Sequence, residues 1–187
     1  MAAAIPTSVA RVLDRALAED PAREALVTRR RRLTYAELDD EANRAARALQ
    51  ALGVRPGDRV AASLPNEAEV VVAFHGAMRL GAVWVGVNRA LAGPEKAYLL
   101  EDSGASLLLC DEGFGAGVRE VEPAEWQHAL TAADPAPLEI PVDPHAPAGL
   151  AYTSGTTGRP KAAVHSQWNL LVPGAVLVES RGYGPEL

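Results

Sequence analysis

The run Arg59-Val60-Ala61-Ala62-Ser63-Leu64, the helix-patterned segment opened by Asn66 and Glu69 and stopped by Gly81, and the second apolar run from Ala82 to Val87 decide the fold class. Neither run alternates cleanly between apolar and polar residues, which is the behaviour of strands covered on both faces. Strand, helix and second buried strand in that order make one βαβ unit. The pattern continues outward. Upstream, Thr34-Tyr35-Ala36-Glu37 is a capping box, and Tyr35, Leu38, Ala42, Ala45, Ala46, Leu49 and Leu52 recur at helical spacing until Gly53, so the spacing predicts a helix over 35–52. Downstream, Pro94 starts a helix through Glu101, and Ser106 to Cys110 is another short apolar strand. The expectation is an α/β protein with a mostly parallel sheet and flanking helices.

The ends are less regular. Thr7 or Ser8 can cap a helix with Val9, Val12, Leu13, Ala16 and Leu17 on one face, ended by Asp20-Pro21, and two short strands follow at Ala25 to Thr28 and Arg32 to Thr34. Gly113, Gly115 and Gly117 imitate part of a dinucleotide fingerprint, but the third glycine comes one place early, and the segment reads as a loop. Pro123 to Leu130 is a short helix. Pro135, Pro137, Pro141, Pro144 and Pro147 favour an extended connector. The expected division is a first α/β subdomain at 7–130, a Pro-rich connector at 131–148, and a hairpin with a following helix at 149–187.

Composition narrows the class. A chain of 187 residues and 19.7 kDa buries roughly 70% of its unfolded surface. With 48% hydrophobic and 22% charged residues it reads as globular rather than disordered or fibrous. The net charge of −6 repels a phosphate backbone and argues against nucleic acid as a partner. Cys110 is the single cysteine, no apolar run approaches the ~18 residues of a membrane span, and the segment from Met1 to Ala10 makes a poor secretory signal. A reducing cytoplasm is the expected setting.

Chemistry concentrates after the connector. Leu150 to Thr153 and Ala162 to His165 read as strands, and between them stands Ser154-Gly155-Thr156-Thr157-Gly158-Arg159-Pro160-Lys161. Two glycines let backbone N–H groups turn toward an anion, hydroxyls on Thr153, Ser154, Thr156 and Thr157 add donors, and Lys161 supplies a mobile charge suited to phosphate. All but two of the 18 basic residues are arginine, Lys96 and Lys161 being the exceptions, so this lysine is an informative choice. A plain polar turn is the competing reading. A Walker-type loop is excluded, because it needs four residues between its glycines and Ser or Thr after the lysine.

Elsewhere the ordinary reading prevails. Arg29 to Arg32 form a solvated hairpin turn, Cys110 is a buried thiol, and His75 lies in the 66–80 helix as a core or partly exposed side chain. His165 is four residues beyond Lys161 and could approach phosphate or an acyl group. Trp84 and Trp126 read as core or half-buried aromatics, while Trp168 could line an acyl pocket or pack its helix. No Cys/His spacing suggests zinc.

Tyr152-Thr153-Ser154-Gly155-Thr156-Thr157-Gly158-Arg159-Pro160-Lys161 resembles the phosphate-binding signature of the AMP-forming acyl-activating enzymes: acyl-CoA synthetases, firefly luciferase and adenylation domains. Leu33-Thr34-Tyr35-Ala36-Glu37-Leu38, Leu52-Gly53-Val54-Arg55-Pro56-Gly57-Asp58-Arg59-Val60, Leu64-Pro65-Asn66, Leu80-Gly81-Ala82-Val83 and Asn88 fall in that family's order, so the likeness covers residues 7 to 180. The chain departs from the family at Ala162 and Gln167, where glycine and histidine are usual, and at Gly86, where proline is frequent.

The resemblance implies the first part of the family's large N-terminal domain. It implies activation of a small carboxylic acid with ATP and Mg2+ to an acyl-adenylate, then transfer to coenzyme A. Thr153, Ser154, Gly155, Thr156, Thr157, Gly158 and Lys161 would grip the β- and γ-phosphates. Family enzymes are well over twice as long, and their adenine and ribose contacts, metal-binding glutamate and catalytic lysine would lie beyond Leu187. The expectation is therefore a chain inactive alone, or a non-catalytic module that self-associates or complements a second chain.

Overall fold

The computed structural model describes residues 6–115, 117–153 and 159–182. The single helix expected at the start is a 3₁₀ turn, Val9–Arg11, followed by helix α1 (Asp14–Glu19). Ser8 makes no side-chain capping bond, and the opening turn tightens accordingly while Val9 and Leu13 are buried. Strands β1 (Glu24–Val27) and β2 (Arg32–Thr34) pair antiparallel, with the arginines at their turn. Helix α2 (Tyr35–Ala51) starts on the foreseen box: Thr34 Oγ1 accepts from the Glu37 amide at 3.2 Å, and the Glu37 carboxylate accepts from the Thr34 amide at 2.8 Å.

The chain then runs β3 (Arg59–Ser63), α3 (Ala68–Leu80), β4 (Val83–Gly86), α4 (Gly93–Ser103), β5 (Leu107–Cys110), β6 (Arg119–Val121), α5 (Pro123–Ala132), β7 (Pro147–Thr153), β8 (Lys161–Ser166) and α6 (Gln167–Arg181). Strand β6 was not expected. Its three residues are too few to carry a pattern, and it forms because β5 offers a parallel edge at Leu107, Leu108 and Leu109. The six-stranded sheet has the order β6-β5-β3-β4-β7-β8, parallel throughout except for β8, which is antiparallel to β7.

Both faces of the central strands are covered, as their continuous apolar character required. Val60, Ala62, Leu107 and Leu109 join α2, α3 and α5 on one side, while Ala61, Leu108 and Cys110 meet Leu99 and Leu100 of α4 on the other. The helix pair α2 and α3 is set by a glycine: a Cβ on Gly76 would lie 2.5 Å from the Ala45 Cβ and 2.8 Å from the Ala46 nitrogen. Arg79 ties the same helices, donating to the Asp39 carbonyl at 2.9 Å and to the Asp39 carboxylate at 2.6 Å. The Pro-rich connector lies along α2, where Arg44 donates to the Ala133 carbonyl and Arg47 to that of Ala136 at 2.8 Å.

Gly76→Ala should cost about 1–3 kcal/mol, because backbone rather than a flexible side-chain end blocks the added methyl. Gly174→Ala, in open space on α6, should instead gain up to about 1 kcal/mol from helix propensity. Urea midpoints of the two variants test this, and a neutral Gly76→Ala would show that the helices separate without cost.

Candidate functional site

Strand β7 pairs parallel to β4, so its last residue, Thr153, reaches the side of the sheet where β3, β4 and β5 also end. That side is where open α/β sheets bind ligands. The chain returns antiparallel, and the register places Thr153 directly opposite Lys161 and Tyr152 opposite Ala162. Thr153 and Lys161, two of the residues expected to grip phosphate, therefore face each other as exposed groups where the hairpin opens. Ser154, Gly155, Thr156, Thr157 and Gly158 lie outside the described residues.

Both ends of the loop touch α4. The Tyr152 hydroxyl donates to Asp102 Oδ2 at 2.7 Å, and the Tyr98 hydroxyl donates to the Pro160 carbonyl at 3.1 Å. The Arg159 guanidinium stands 5.7 Å from the centre of the Tyr98 ring. Burial, and then the bond to Asp102, hold the Tyr152 phenol well above its ordinary value, so it is a constant donor. Nothing in the sequence pattern marked Tyr98 or Asp102, whose role arises only when α4 crosses under the hairpin.

A crevice of about 1010 Å³ opens at the carboxyl ends of β3, β4 and β5, lined among others by Asn66, Trp84, Asn88, Arg89, Lys96 and Asp111. It lies where the connections diverge, β3 leading to β4 on one side and β5 to β6 on the other. Arg89 pairs with Asp111, and its hydrogen bond holds that carboxyl below the usual range. The Lys96 ammonium lies 5.3 Å from the Phe114 ring centre. Among the described residues, no group of three His, Cys, Asp or Glu could hold a metal ion.

The departures have local explanations. Ala162 sits within β8, and among the described residues no side-chain-bearing residue has positive φ, so glycine is not required there. Gln167 is 1% exposed; its carbonyl accepts from the Ala10 amide at 3.2 Å and its amide donates to the Met78 carbonyl at 3.3 Å. It joins the first residue of α6 to α3 and to the N-terminal turn. Ser166, just before it, caps α6 by accepting from the Asn169 amide at 3.2 Å, a Ser-x-x-Asn signal that sequence reasoning passed over.

Among the other candidates, Cys110 is buried and burial pushes its thiol up to about 11. His165 is half-buried opposite Gly149 in β8, Trp126 is buried, and Trp168 is 39% exposed. No helix of the described residues is long and apolar enough to cross a membrane.

A mostly parallel sheet with helices on both faces, and a crevice at the carboxyl ends of its central strands, defines an open α/β architecture. The chain belongs to the AMP-binding enzyme family, whose model matches residues 13–183. It is 37% identical over 153 residues to the long-chain-fatty-acid–CoA ligase FadD13 of Mycobacterium tuberculosis, covering 72% of this chain and 30% of that protein. It is 35% identical over 191 residues to the 3-hydroxybenzoate–CoA ligase of an Aromatoleum species, covering 92% and 36%. The inhibitor-bound N-terminal domain of FACL13 from M. tuberculosis superposes with a TM-score of 0.79 at 32% identity, over 86% of this chain and 44% of that one. The chain thus spans about a third of the length of the curated relatives it matches.

His75 lies half-buried on α3, its ring against that of Phe74. Burial, reinforced by the charge of Arg79, pushes its imidazole down to about 4. The fold holds it neutral, whereas the unfolded chain protonates it near 6.5. Its contribution is complete above the unfolded value and is lost as pH falls from about 6.5 toward about 4. Thermal melts of His75→Gln should show a smaller loss of stability over that window than the parent chain, and an unchanged slope would overturn the assignment.

Proposed function

We propose that the protein containing this chain is an AMP-forming carboxylate–CoA ligase, and that residues 153–161 bind the β- and γ-phosphates of its ATP. The placement of Thr153 opposite Lys161, at the carboxyl edge of a parallel sheet, is the observation that carries this reading. The sequence between them supplies glycine and hydroxyl donors of the required kind. In the reaction a carboxylate oxygen bonds to the α-phosphorus while the bond to the β-phosphate bridge breaks, giving acyl-adenylate and pyrophosphate. The thiol of coenzyme A then displaces AMP.

The electrostatic difficulty is that two anions must meet and a third must leave. Lys161 and the loop donors would draw charge from the departing pyrophosphate, an interaction that strengthens as the bridge breaks. Magnesium would neutralise the triphosphate further. The relatives include ligases for fatty, aromatic and succinylbenzoate substrates, so a carboxylic acid is the substrate class and its side chain is open.

A second reading follows from the outer surface of the hairpin and α6. Val164, Val172, Val176, Leu177 and Val178 are 40–60% exposed, and among the described residues β8 is hydrogen-bonded only to β7. An open strand edge beside apolar side chains favours pairing with a second chain or another copy of this one. Light scattering that shows a clean monomer at high concentration would remove this reading.

The 187-residue chain should bind ATP only near the millimolar level, about −4 kcal/mol, and should not catalyse pyrophosphate exchange. In the ligase that contains it, Lys161→Ala should weaken nucleotide use by about 1.5–3 kcal/mol, the range for hydrogen bonds to charged groups. An ATP-dependent exchange rate unchanged by that substitution would refute the phosphate assignment.

A further inference from the structure

We propose that Tyr98 and Asp102 of α4 are positioning residues that fix both stems of the 153–161 loop relative to the sheet. The inference rests on the phosphate reading above and extends it to residues outside the loop. The β4 ladder holds β7 through Leu150 and the β8 ladder sets which stem residues face each other, but among the described residues β8 has no second strand to hold it. Something must hold the returning stem against the body of the protein. Tyr98 and Asp102 are four residues apart on α4 and therefore share one helical face. Asp102 takes the outgoing stem through Tyr152 at 2.7 Å, and Tyr98 takes the returning stem through the Pro160 carbonyl at 3.1 Å.

The two bonds do not compete. The Tyr98 hydroxyl carries one proton and has two acceptors in reach, Pro160 O at 3.1 Å and Asp102 Oδ1 at 3.5 Å. The nearer carbonyl receives it, while Asp102 accepts from Tyr152. The Tyr98 ring contributes separately, since its face attracts the Arg159 guanidinium at 5.7 Å and so ties the returning stem to α4. A phosphate-binding loop gains affinity when its stems are fixed before the ligand arrives, because the ordering cost is then not charged against binding. Asp102 is itself an exposed anion near a site meant for anions, and its acceptor role rather than its charge explains its presence there.

The test measures ATP binding to the 187-residue chain by ³¹P line broadening, for Asp102→Ala, Asp102→Asn, Tyr152→Phe, Tyr98→Phe and Lys161→Ala. Thermal melting of each variant reports whether it is folded. Asp102→Ala and Tyr152→Phe should each raise the dissociation constant about five- to tenfold, and combining them should add little, since each breaks the same bond. Asp102→Asn, which keeps an acceptor oxygen, should restore most of the affinity. Tyr98→Phe should weaken binding about threefold through the hydroxyl alone. A purely structural role would lower the melting temperature in step with affinity and would give no rescue by asparagine, and that result overturns the proposal. If Lys161→Ala weakens ATP binding while Asp102→Ala and Tyr152→Phe do not, the positioning role fails and the phosphate reading stands. If Lys161→Ala has no effect, or the parent chain does not bind ATP, the phosphate reading fails and the positioning role falls with it.

Discussion

Strand β3 is held by parallel partners on both sides, and the arrangement of the molecule follows from that pairing. Parallel neighbours cannot be joined by a tight turn, so each connection must cross a face of the sheet, and the crossing helices cover both faces of the central strands. The covering explains why Val60, Ala61 and Ala62 are all buried although successive side chains point to opposite sides. The pairing also aligns the strand ends. Because β7 continues the parallel order beyond β4, its last residue arrives beside the crevice instead of on the opposite side.

Two sets of polar contacts then relate the hairpin to this frame. Gln167 anchors the start of α6 to the Met78 carbonyl of α3 and to the Ala10 amide, on the face covered by α2 and α3. Tyr152 and Pro160 meet α4 on the other face. The hairpin is thus attached to both layers that enclose the sheet. A buried glutamine with its carbonyl and amide both bonded replaces the histidine usual in the family without leaving a polar group stranded. The apolar side chains on α6 and at Val164 lie outside these attachments, which is why they remain exposed.

The parts of the fold legible in the sequence are those set by local rules. Thr34 and Glu37 announce α2 because capping is a contact within one turn, and Gly81 ends α3 in a left-handed conformation that glycine adopts without strain. Pairing with distant segments was not legible. Arg119 to Val121 become a strand only beside β5, and the connector is placed by Arg44 and Arg47 of a helix far upstream. At the candidate site, Thr153 and Lys161 were readable because hydroxyl, glycine and lysine cluster in one short segment. Tyr98 and Asp102 were not, since a tyrosine and an aspartate on an amphipathic helix are commonplace until the chain brings the hairpin against them.

Cys110 closes β5 as a buried member of the apolar cluster that holds Ala61, Val85 and Leu108, and burial pushes its thiol up to about 11. Thiol-selective reagents act on the exposed thiolate, so the native side chain is inert to them while the fold is intact. A cysteine introduced at an exposed position such as Arg159 would therefore take a fluorophore or spin label alone, with the natural residue left in place. The same silence makes Cys110 an internal clock of opening: its modification would begin only as β5 comes away from its neighbours, giving a chemical readout of sheet integrity independent of any ligand.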